Sequence, residues 1–155
     1  MADRFRLTIA QLNPTMGDLA GNAAQAKDAW DKAKAAGADM VALPEMFIAG
    51  YSPQDLPSKN AFTLDCMAAV RQLAEDCADG PTLAIGTPWV EGTELYNAYV
   101  ICRGGKITTQ VFKHHLPNYE VFDELRIYDS GPIGGPYAVG NTRVGSPVCE
   151  DAWYE

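Results

Sequence analysis

The strongest constraint in this sequence is a change of connectivity half-way along it. "FRLTIAQLN" (Phe5 to Asn13) and "DMVAL" read as strands, and each is followed by enough residues for a helical crossover. "TLAIGTPWV", "LYNAYVIC" and "KITTQVF" instead follow one another through "EGTE" and "RGG" alone. Parallel neighbours need a crossover of a dozen or more residues, whereas short glycine-containing links close antiparallel hairpins. The chain therefore has to begin as βαβα and continue as a meander.

The first crossover has apolar positions at Leu19, Ala23, Ala26, Trp30 and Ala33, with Lys27, Asp28, Asp31 and Lys34 between them. That spacing predicts an amphipathic helix from about Asp18, ended near Gly37. "DMVAL" is stopped by Pro44, and "PEMFIAGYSPQDLPS" lacks any period and predicts a loop at a strand end. A second helix is expected from about Asn60 to Cys77 through Leu64, Met67, Val70, Ala74 and Cys77, broken by "DGP". After "SGPIGGP", "YAVGNTRVGSPVC" reads as two short strands about a Gly-Asn turn, the second running into Cys149. In "FRLTIAQLN", Phe5, Leu7 and Ile9 share one side, as in a strand entering a core. The order β-α-β-α-β-β-β-β-β predicts an α/β layered fold with helices on one face of the sheet. The other face needs a partner sheet or domain.

Composition narrows the classes of function. The 155 residues carry a net charge of −8, and the basic residues are scattered, which argues against a nucleic-acid partner. No apolar run reaches signal-peptide or membrane-helix length, so no membrane association is expected and a cytoplasmic location is. Cys66, Cys77, Cys102 and Cys149 form neither a CxxC pair nor a cluster, so free thiols and no metal site are expected.

Glu45, Lys113 and Cys149 each follow an apolar segment, a common place for catalytic groups in α/β folds. A thiol, a carboxylate and an ammonium suit acyl transfer: the carboxylate takes the thiol proton and the ammonium stabilises charge on the carbonyl oxygen. The same residues could be an inert core cysteine and a solvated turn glutamate. His114 or His115 could instead activate Cys149, although adjacent residues in an extended segment point to opposite sides and offer no third metal ligand. Cys66, Cys77 and Cys102 read as packing. "GPIGG" is not a phosphate loop.

The phrases "LPEMFIAGYSPQDL", "FKHHLPNYEVFDELR" and "VCEDAW" together resemble the carbon-nitrogen hydrolase (nitrilase) superfamily. Within it, "GYSPQDL", "LPNYEVFDE" and "CEDAW" are similar, in the same order, to the glutamine-hydrolysing domains of glutamine-dependent NAD synthetases. The likeness runs from Phe5 to Tyr154. It implies a four-layer α/β/β/α sandwich of which residues 1–155 supply roughly the first half, as the N-terminal part of a glutaminase domain without its synthetase domain. By the same resemblance Glu45 is the general base, Lys113 steadies the tetrahedral intermediate, and Cys149 forms a thioester with L-glutamine. The oxyanion would meet Lys113 and the backbone N–H after Cys149. Glu124 matches a second glutamate near the lysine, its alternative being a surface charge paired with Arg126. Tyr119, Glu150 and Trp153 match residues lining the glutamine pocket, where a carboxylate would answer the α-ammonium.

The resemblance further implies that ammonia passes to the synthetase domain, which amidates nicotinic acid adenine dinucleotide to NAD. ATP and Mg belong to that domain, and no cofactor is expected in this chain. A stand-alone amidase or carbamoyl hydrolase, or an inactive fragment keeping the scaffold, would share the same residues. A chain ending at Glu155 would leave one sheet face apolar and uncovered, so a homo-oligomer is expected.

Overall fold

The computed structural model describes residues 4–154. Five strands form one sheet: β1 (Leu7–Ile9), β2 (Met40–Ala42), β3 (Thr82–Glu91), β4 (Glu94–Arg103) and β5 (Lys106–Phe112), in the order β1-β2-β3-β4-β5. β1, β2 and β3 pair in parallel; β3, β4 and β5 pair antiparallel. The helices α1 (Leu19–Ala35) and α2 (Asn60–Asp76) are the two long crossovers. This is the connectivity that the lengths of the links require.

α1 starts where the Asp18 side chain accepts the Gly21 N–H at 2.9 Å, and it stops before Gly37, whose φ of +70° suits glycine. Ala26, Trp30 and Ala33 pack with Cys66, Val70 and Leu73 of α2 and with Val41, Leu83 and Ile85 of the sheet. The Trp30 indole N–H donates to the Pro81 carbonyl at 2.8 Å. Asn22 is fully buried and fastens two loops, bonding the Thr15 backbone at 2.8 Å and donating to Ile48 O at 2.9 Å. Leu64, expected on the apolar stripe of α2, is 47% exposed, and Thr63 is buried in its stead with its hydroxyl on Pro57 O.

The sheet face opposite the helices finds part of its cover within the chain. A hairpin of β6 (Tyr137–Val139) and β7 (Thr142–Val144) lays Tyr137 and Val139, with Val148, against Met40, Ala84, Ile101 and Val111. This cover does not reach β1. Leu7 pairs with Met40 on that face, yet Leu7 and Ile9 are 47% and 74% exposed, contrary to the expectation that they enter a core. Phe5 does pack against the second cluster. β1 is also far shorter than "FRLTIAQLN", because its partner β2 ends just before Pro44, which has no N–H for the ladder.

β7 ends at Val144 and does not run into Cys149. Gly145, Ser146 and Pro147 intervene, and Cys149 opens a single 3₁₀ turn, Cys149–Trp153. No helix among the described residues is long and apolar enough to cross a membrane.

Candidate active site

The sheet gathers three distant segments on the face away from the helices. After β2, Pro44 turns the chain so that residues 44–48 run beside the middle of β3, with Gly86 N–H donating to Pro44 O and Ile48 N–H to Gly86 O. This approach needs a residue without a side chain. A Cβ on Gly86 would lie 2.6 Å from both Cα and C of Glu45.

Lys113 extends the β4–β5 ladder by one residue, its N–H donating to Asn97 O at 2.9 Å. Its side chain shares a face with that of Val111, by the period-2 alternation of a strand. The side chain of Lys113 is fully buried, with Nζ 2.7 Å from Glu45 Oε1 and 2.7 Å from Glu124 Oε1. Glu45 and Glu124 are themselves only 15% and 12% exposed, so a single ammonium bridges two nearly dry carboxylates. Arg126 pairs with Asp123 and Asp55, and the surface pair of Glu124 with Arg126 does not form. Breaking a buried pair of this kind costs about 3–5 kcal/mol.

Protonation follows from this packing. Burial works against the Lys113 ammonium, but the charge of Glu45 and hydrogen bonds to Glu124 and Glu45 outweigh it and hold its pKa above the ordinary lysine value. Burial raises the Glu124 carboxyl, and the charge of Glu45 adds to it, by more than Lys113 and Asn97 take back. The Cys149 thiol is raised by burial and by Glu45 and Glu124, against the pull of Lys113 and the backbone N–H of Glu150. The resting sulfur is therefore a thiol and needs a base to become a nucleophile.

Cys149 has φ of +48°, a region L-residues seldom occupy, costing about 1–3 kcal/mol. Its residue is exposed, and with Glu45, Leu43, Tyr99 and Val148 it lines one cleft of about 320 Å³. Cys66, Cys77 and Cys102 are buried, and burial pushes each thiol up to about 12.

The turn carrying Cys149 is fastened to the segment after Lys113 by Asp151. Its Oδ1 accepts the backbone N–H of His115 at 2.7 Å and of His114 at 3.2 Å, and lies 3.1 Å from His115 Nδ1. The two imidazoles do not point to opposite sides. They meet edge to face with centroids 4.7 Å apart, because the ladder ends at Lys113 and strand alternation no longer fixes the residues after it. Their polar partners are Gly131 O, Ser130 and Asp151, with Tyr154 stacked on His115. Among the described residues no group of three His, Cys, Asp or Glu side chains could hold a metal ion.

Three of the remaining expected residues lie further out. The Tyr119 hydroxyl donates to Glu150 Oε2 at 2.9 Å, and Tyr154 reaches the other oxygen of Glu150 at 3.5 Å. Trp153 is 81% exposed and is not drawn into the cluster. A second cleft of about 280 Å³ opens beside Glu124 and Asn97, lined also by Tyr51, Asp55, Phe122 and Arg126.

Sequence reasoning overlooked Gly86, Asn97 and Asp151. Asn97 donates from Nδ2 to Glu45 Oε1 at 2.7 Å and to Glu124 Oε2 at 3.3 Å. It is a buried polar residue inside an apolar strand, and that interruption of "LYNAYVIC" was its signal. Asp151 gave none, since an acid in a turn reads as solvated.

A sequence profile of carbon-nitrogen hydrolases matches residues 6–155. The chain belongs to the carbon-nitrogen hydrolase family. This carbon-nitrogen hydrolase chain is 53% identical to a glutamine-dependent NAD(+) synthetase of Rhodobacter capsulatus, over 99% of its own length and 28% of that relative. It is 37% identical to the enzyme of the same name from Thermotoga maritima, over 97% of its length and 26% of the relative. The chain thus spans little more than a quarter of these curated relatives. Among solved structures, glutamine-dependent NAD+ synthetase from Acinetobacter baumannii superposes with a TM-score of 0.85 at 25% identity, over 96% of this chain and 28% of that one. An amidase from Nesterenkonia sp. shares the fold with a TM-score of 0.85 at 20% identity, over 99% of this chain and 59% of that one. The architecture is the nitrilase-type α/β fold, and this chain corresponds to about its first half.

Proposed function

We propose that this chain carries the nucleophile, base and ammonium of a glutaminase that hydrolyses the side-chain amide of L-glutamine through a Cys149 thioester. The observation that carries the reading is a buried ammonium, Lys113, bridging two carboxylates, one of which shares a cleft with the thiol. The names of the similar synthetases support glutamine as the amide.

In this mechanism Glu45 takes the Cys149 proton as sulfur bonds to the amide carbon, and the carbonyl π pair moves to oxygen. That oxyanion is held by Lys113 Nζ and the Glu150 N–H. Collapse breaks the C–N bond, with the proton on Glu45 passing to the departing ammonia. Water then attacks the thioester, giving a proton to Glu45, and glutamate leaves as the thiol is restored. Tyr119, Glu150 and Trp153 make the outer wall, with Glu150 facing the substrate's α-ammonium. Glu124 holds Lys113 in place. No metal or cofactor enters these steps.

Residues 1–155 act in this reading as the N-terminal part of a glutaminase domain. The ammonia goes to a synthetase domain of the same polypeptide, in the cytoplasm, where ATP and Mg support amidation of nicotinic acid adenine dinucleotide. The test is release of glutamate and ammonia from glutamine, set beside a panel of other amides and carbamoyl compounds, for the wild type and for Cys149→Ala, Lys113→Ala and Glu45→Ala. Turnover should vanish in Cys149→Ala. Turnover that survives it overturns the thioester.

A further inference from the structure

Asn97 is 1% exposed and lies directly across the ladder from Lys113, whose N–H bonds its carbonyl. Its two amide hydrogens are divided between the two carboxylates that flank the ammonium, 2.7 Å to Glu45 Oε1 and 3.3 Å to Glu124 Oε2. Lys113 and Asn97 both donate to Oε1 of Glu45, so neither engages Oε2. Asn97 Oδ1 is buried with no hydrogen-bond partner among the described residues. A buried acceptor left unpaired is a cost that packing would ordinarily remove, and the amide is held in this orientation by what its nitrogen does.

We propose that Asn97 is a positioning residue that fixes the rotation of Glu45 so that Oε1 is spent on Lys113 and Asn97 while Oε2 faces the Cys149 thiol, and that keeps Glu124 apart from it. Two carboxylates around one ammonium can otherwise share a proton, one bonding the other directly, and Glu45 would then lose its role as base. The amide prevents this because each carboxylate receives its own N–H donor from a rigid strand. The charged and titratable groups facing Glu45 are Lys113, Glu124, Cys149, Tyr51 and Tyr128, contributed by four separate segments of the chain. Asn97 is the neutral side chain among them that donates to both acids.

This inference rests on the reading of Glu45 as the base for Cys149, and its test is separable from glutamine hydrolysis. The readout is the rate of Cys149 alkylation by iodoacetamide as a function of pH, with Cys149→Ser as the blank, for the wild type, Asn97→Ala and Asn97→Asp. Without the Asn97 amide Glu45 is free to rotate toward Glu124, so the thiol loses the base that faces it. The acidic limb of the alkylation profile should move up by about one pH unit in Asn97→Ala, with roughly tenfold slower labelling on that limb, and further in Asn97→Asp, which adds a third acid. Asn97→Asp is isosteric and serves should Asn97→Ala fail to fold. A folded variant with the wild-type profile overturns the proposal. A shifted profile in a protein that leaves glutamine intact upholds the positioning and rejects the glutaminase, whereas turnover with an unmoved profile does the reverse.

Discussion

Two polar clusters lie on the same side of the sheet and are built on opposite terms. The inner one, Glu45, Asn97, Lys113 and Glu124, draws on the interior of β4, the residues just past β2 and β5 and a short 3₁₀ turn at Glu124–Arg126, is nearly dry, and has each charge answered at 2.7 Å. The outer one, Tyr119, Glu150 and Tyr154, sits on the loop after β5 and on or just after the 3₁₀ turn that carries Cys149, and its principal bond, Tyr119 to Glu150, is exposed to water. Geometry inside is set by backbone register, so side chains there have little freedom. Outside, it is set by turns whose residues can rotate at small cost. The contrast suits a reaction whose charges must stay fixed while a substrate's outer end comes and goes.

The sharpest way to break the contrast is to remove the central charge. Lys113→Met should destabilise the protein by about 3–5 kcal/mol in urea titrations, because two buried carboxylates lose their counter-ion. Activity should fall by roughly a thousandfold or more, as when one member of a catalytic set is lost. The same lysine predicts a pH dependence. A folded-state pKa above the ordinary 10.5 gives stability that is complete below 10.5 and is lost as the pH rises through the folded value. The urea midpoint should therefore drop on that alkaline limb in the wild type, and the drop should be absent from Lys113→Met.

Next comes Gly86→Ala, which removes no polar atom of the cluster but pushes the Glu45 backbone away. A loss of about 1–3 kcal/mol and up to ~100-fold in kcat is expected. Asp151→Ala should cost less, about 0.5–1.5 kcal/mol, since the two backbone N–H groups it releases at His114 and His115 are only partly buried. Its signature is a slower thiol alkylation with little change in KM. The smallest effect belongs to the outer cluster. Tyr119→Phe should raise KM for glutamine about two- to fivefold while kcat and the melting temperature stay put, as for loss of one exposed hydrogen bond. A large fall in kcat there would erase the distinction between the clusters.

These elements differed in how plainly the sequence announced them. Both helices, the β3–β4–β5 meander and the Gly-Asn hairpin were legible because period and link length are local properties. The shortness of β1 and the exposure of Ile9 were not, since they depend on Pro44 ending the partner strand and on how far the hairpin reaches. Glu45, Lys113 and Glu124 could be named from phrases, but not that one ammonium would lie between both acids. That depends on Gly86 admitting a loop and on the register that sets Asn97 across from Lys113. The opposed histidines failed because Lys113 ends the extended segment, so alternation no longer governs residues 114 and 115.

The order of the segments along the chain has a consequence for biosynthesis. Glu45, Asn97, Lys113 and Glu124 all precede Cys149, and the 3₁₀ turn bearing the sulfur is the final element of the described residues. A chain growing on the ribosome thus exposes its bases and their ammonium before it exposes its reactive thiol. The sulfur arrives at a partner set already synthesised, and Asp151, two residues behind it, follows at once to fasten it there.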